Sequence, residues 1–101
     1  MITWSVAGQP TSRTVASATT LTALRNWAAQ LDDACPVFFD TSPWEGLVAA
    51  DDVAALIAEL ETMQAKADPR TGAPANALAI INTMLAVARD ARAVGAGIEI
   101  E

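Results

Sequence analysis

Ile2-Thr3-Trp4-Ser5-Val6 alternates apolar and polar side chains, the period of a strand with one face in a core and the other in solvent. Ile98-Glu99-Ile100-Glu101 repeats the pattern at the far end of the chain. A half-buried strand needs a neighbour, so strands at both ends point to a small sheet in which they meet, with helices on its apolar face. Gly8-Gln9-Pro10-Thr11 reads as a turn. Ser12-Arg13-Thr14-Val15-Ala16 reads as a returning strand, because Thr and Val suit a pleated surface, although only Val15 offers a clear apolar contact.

Between these ends the period becomes helical. Leu21, Leu24, Trp27, Ala28 and Leu31 share one face, with Thr19 or Thr20 as the expected N-cap. Pro36 cannot continue that helix, so Asp32, Asp33 and Ala34 are expected to hold its end, and Val37-Phe38-Phe39 reads as extended. Ser42-Pro43-Trp44-Glu45 matches a capping box with proline at the first helical position, a short turn that Gly46 limits. Asp51-Asp52 opens a second helix, where carboxylates suit the positive end of the macrodipole, with Val53, Leu56, Ile57, Leu60 and Met63 as its stripe. After the loop Asp68-Pro69-Arg70-Thr71-Gly72, a third helix is expected from near Pro74 to Val94, closed by Gly95. It is apolar on two faces, Leu78, Ile81, Leu85 and Ala88 on one and Ile80, Met84, Val87 and Ala91 on the other. Such a helix is either central to the core or shares its second face with a partner. The expected fold is α+β: about three main helices packed on a small sheet formed by the N- and C-terminal strands.

A chain of 101 residues with 52% hydrophobic against 18% charged residues has enough apolar surface to fold as one domain, so residues 1–101 are read as a single globular unit. The most apolar run, Ala73 to Ala88, is interrupted by Asn76, Asn82 and Thr83 and falls short of the roughly 20 residues a spanning helix needs. No basic start with a following cleavage site is seen either, so a cytoplasmic protein without membrane contact is expected. The single cysteine, Cys35, permits no internal disulfide. Beside Asp32 and Asp33 at a helix end its thiolate is disfavoured, so it reads as an unreactive buried thiol.

Chemistry is limited by what is missing. With no histidine, the Ser-His and Cys-His nucleophile pairs, the commonest metal ligand and the side chain that best exchanges protons near neutrality are all absent. The only lysine, Lys66, has no neighbours that would bury it for a Ser-Lys dyad. The spaced Asp/Asn loop of a calcium site is not present. No enzyme activity, cofactor or metal is therefore expected. Six scattered bases under a net charge of −6 argue against nucleic acid as a ligand.

The charge distribution is the strongest functional signal. Between Arg25 and Lys66 there are eight acids and no base, while the rest of the chain has four acids and six bases. Glu45, Asp51 and Asp52 have capping duties. Asp32 and Asp33 do not, since carboxylates in a last helical turn are unfavourable by about 0.3–1 kcal/mol each. Two readings stand: a solvated face with an early helix end, or a face for a basic partner. Trp44, flanked by Pro43 and Glu45 inside the acidic stretch, is either a lid on the core or an interface anchor. The leading expectation is a small acidic interaction module, of inhibitor or adaptor type, presenting Asp32, Asp33, Asp40, Trp44 and Glu45 to a basic protein. One alternative is a homodimer formed through Ile80, Met84 and Val87. Another is a small-ligand pocket using Asn76, Asn82 or Arg89.

Overall fold

In a computed structural model, residues 1–31, Phe38 and residues 46–101 are described. The elements are β1 (Ile2–Val6), β2 (Ser12–Ala16), α1 (Ala18–Ala28), β3 (Gly46–Val48), α2 (Val53–Lys66), α3 (Ala77–Val94) and β4 (Ile98–Ile100). The strands form one antiparallel sheet in the order β2-β1-β4-β3. The two terminal strands meet as its central pair, with Trp4 opposite Ile100 and Val6 opposite Ile98, and helices α1, α2 and α3 among the described residues complete an α+β fold. Its core gathers Ile2, Trp4 and Val6 from β1 and Ile98 and Ile100 from β4 with the buried stripes of the helices.

Helix α3 lies at the centre. It packs against α2 and also against β1, β2 and β4, which is why both of its faces are apolar. Ile80, Met84 and Val87 are buried within the chain, at 4%, 0% and 3% exposure. The expectation that this row offers a face to a second copy is thereby corrected, because the sheet and α2 leave no apolar surface there for a partner to cover. Leu78, placed on the core stripe by its spacing, is instead exposed. Gly95 closes α3 in the left-handed conformation (φ 69°), which costs glycine little.

Two local readings change. The N-cap of α1 is Ser17, whose hydroxyl accepts from the Thr20 amide at 3.2 Å, so the helix starts before either expected threonine. It ends at Ala28 with Arg25 in its last turn, a cation at the negative end of the dipole, and the unfavourable last-turn placing of Asp32 and Asp33 does not arise in α1. Phe38 is helical, not extended, and is buried in the core.

Glu59, one of the acids of the central stretch, is buried on α2 at 8% exposure, and its Oε1 accepts from the Phe38 amide at 3.1 Å. A buried amide that loses its acceptor costs about 1–3 kcal/mol. Glu59→Ala is therefore expected to lower unfolding stability in urea by that amount, and Glu59→Gln, which keeps an acceptor oxygen, by clearly less.

Candidate functional site: the open face of the sheet

The helices cover one face of the sheet, and alternation sends the intervening side chains to the other. The cross-strand register builds that outer face in two rungs. Thr14 lies opposite Thr3, and the Thr3 backbone exchanges both hydrogen bonds with Glu101 (2.8 and 2.9 Å). Ser12 lies opposite Ser5, Ser5 opposite Glu99, and Glu99 opposite Leu47. Ser12, Thr14, Leu47, Glu99 and Glu101 are exposed, and Thr3 and Ser5 half-buried. Hydroxyls thus occupy the β2–β1 half, and carboxylates with one exposed leucine occupy the β4–β3 half.

The ladder also sets the direction of β3. Ala7 donates to the Gly97 carbonyl at 2.9 Å, and Glu101 bonds Thr3, so Gly97, Glu99 and Glu101 turn their backbone groups toward β1. In an antiparallel ladder the alternate residues, Ile98 and Ile100, then face β3. Their partners Val48 and Gly46 face back, which leaves the N–H and C=O of Leu47 directed away from β4, at the end of the strand order. Its side chain is 64% exposed.

Two more exposed carboxylates follow β3 in the chain: Asp51 and Asp52 lie in a single 3₁₀ turn that leads into α2. Asp51, Asp52, Glu99 and Glu101 make no ion pair among the described residues. Two other acids are partly compensated, since Arg89 of α3 lies 3.8 Å from Glu61 of α2 and Arg13 of β2 lies 4.0 Å from Asp90 of α3, whereas exposed Asp68 likewise makes no ion pair among the described residues. Among the described residues, Glu61 is an acid of the central stretch that has a basic partner. Carboxylates on edge strands often serve only to prevent edge-to-edge pairing, but Glu99 belongs to a strand with neighbours on both sides, and Glu101, one residue beyond it, bonds Thr3 of β1.

Asp32, Asp33, Asp40, Trp44 and Glu45 lie outside the described residues. Sequence reading missed Glu99, Glu101 and Leu47. The signal was present in Ile98-Glu99-Ile100-Glu101, whose alternation places both glutamates on the solvent face. Asn76, Asn82 and Arg89 do not converge on a cavity: Asn76 is the N-cap residue of α3, Asn82 accepts from Gln64 at 2.6 Å, and Arg89 pairs with Glu61. Among the described residues no group of His, Cys, Asp or Glu could hold a metal ion, and no helix is long and apolar enough to cross a membrane. The chain matches no family model, no curated protein and no solved structure.

Proposed function

We propose that the protein is an interaction module whose acidic sheet face, with Leu47 as its apolar contact, receives a basic protein surface. The observation that carries the reading is that Glu99 and Glu101, on the outer side of the β4 end of the chain, and Asp51 and Asp52, in the turn after β3, are exposed and make no ion pair among the described residues. Concentrated charge of one sign steers an oppositely charged partner and fixes its orientation more than it adds raw affinity. The short-range contribution falls to Leu47 and to the backbone groups at the β3 edge.

The experiment reverses the charge on β4. Both glutamates are exposed, so the double variant Glu99→Lys/Glu101→Lys is expected to keep its stability within about 0.5 kcal/mol per site. Cross-linking in cells followed by purification, with wild type and variant side by side, is expected to show basic proteins retained by the wild type and depleted at least tenfold with the variant. Equal recovery by the two chains would refute the reading.

A further inference from the structure

We infer that the side of β3 away from β4 takes a short basic peptide segment as an added antiparallel strand. The inference rests on the acidic sheet face as the docking side and names the form of the partner that meets it. β3 is the last strand in the order β2-β1-β4-β3, and the Leu47 N–H and C=O point away from β4. Among the described residues no group bonds them. Gly46, Leu47, Ala49 and Ala50 are all exposed, so this stretch of backbone meets solvent. Extended backbone with unpaired N–H and C=O groups is a template for a further strand.

The two ends of the strand order differ in how they are guarded. β2 carries the charged Arg13, and its register with β1 shifts between Ile2 and Thr3. A charge and a bulge are common devices against strand addition. Gly46-Leu47-Val48 has neither a charge nor a proline, and its register with β4 is regular. Its guard is shortness, which limits an added strand to a few residues.

Charge selects the partner. Glu99 stands opposite Leu47, Asp51 and Asp52 follow Val48 within one short turn, and no base lies between Gly46 and Asp52. A second copy adding its β3 to this one would set these carboxylates against their like, and an acidic segment would meet the same repulsion. A basic segment is attracted. In an antiparallel addition the residues that bond Leu47 turn their side chains to the face that Leu47 and Glu99 share. Lysines placed there lay their stems over Leu47 and extend their ammonium groups toward Glu99. The alternate residues turn to the Val48 side, where apolar side chains fit. The partner is thus an extended segment in which basic and apolar residues alternate.

The test titrates the full ¹⁵N-labelled chain with acetyl-Lys-Val-Lys-Val-Lys-amide and with two twins of equal charge, one N-methylated on the backbone of its lysines, the other on that of its valines. The lysine-methylated twin lacks the N–H groups that would face β3; the valine-methylated twin keeps them. The parent and the valine-methylated twin are expected to bind alike and, at saturation, to slow hydrogen exchange of the Leu47 amide about tenfold or more. The lysine-methylated twin is expected to bind about tenfold more weakly, the effect of one or two lost hydrogen bonds. A lysine-methylated twin that binds as tightly as the other, an unslowed Leu47 amide, or a parent peptide with no saturable binding overturns the strand addition. Equal binding of the twins to the wild-type chain, with loss of both on the Glu99→Lys/Glu101→Lys chain, removes the added strand and leaves the acidic face standing. Equal binding of the parent by wild-type and charge-reversed chains removes the acidic face, and with it the charge selection on which the inference rests.

Discussion

A Met84→Asp chain is expected not to fold. Met84 has no exposed surface and stands where α3 meets the rest of the core. The substitution removes a buried side chain, a loss of about 2–5 kcal/mol. It also places a carboxylate among apolar neighbours with no partner, a further penalty of several kcal/mol. A domain of this size has about 5–15 kcal/mol in total, so circular dichroism should show no cooperative unfolding transition. Met84→Leu, which conserves volume, should cost less than about 1.5 kcal/mol. The pair distinguishes a core residue from an interface residue: on a surface row, the aspartate chain would fold and only its association would change.

Gly97→Ala is expected to loosen the side of the sheet that carries the acids. A methyl group on Gly97 would run into the Val48 carbonyl oxygen, a backbone atom of the neighbouring strand. Relief by moving Gly97 away is resisted from the other side, where its own carbonyl accepts from Ala7. Overpacking against a pinned backbone costs about 1–3 kcal/mol, and each kcal/mol lowers Tm by roughly 4–8 °C in a domain of this size. Hydrogen exchange gives the local signature, with the amides of the β3–β4 ladder losing protection before those of α3. A change in Tm below 2 °C, about half the shift expected from the smallest penalty, would mean that β3 yields freely and is not fixed to β4.

Much of this architecture was legible because burial imposes a period on the sequence. Ile2, Trp4 and Val6 could only line a core as a strand, Ile98 and Ile100 required a partner, and the stripe from Val53 to Met63 matches the buried face of α2. Strand β3 was not legible. Gly46-Leu47-Val48 has one buried side chain, Val48, and is defined by pairing with β4, a contact between distant parts of the chain that leaves no local period. The role of α3 was left between two readings for a related reason, since periodicity shows that a face is apolar but not what covers it. The acidic site was half legible. Asp51 and Asp52 fell within the stretch singled out by its charge, whereas Glu99 and Glu101 lie far away in sequence and come beside the strand that precedes Asp51 only because β4 pairs with β3.

The claim that negative charge is concentrated on one face is tested most directly by titrating the ¹⁵N-labelled chain with an oligolysine peptide at low ionic strength. The expected result is a saturable set of amide shifts at Leu47, Asp51, Asp52, Glu99 and Glu101, fading as salt shortens the screening length. Shifts spread evenly over all exposed carboxylates, Glu61, Asp68 and Asp90 included, would contradict it.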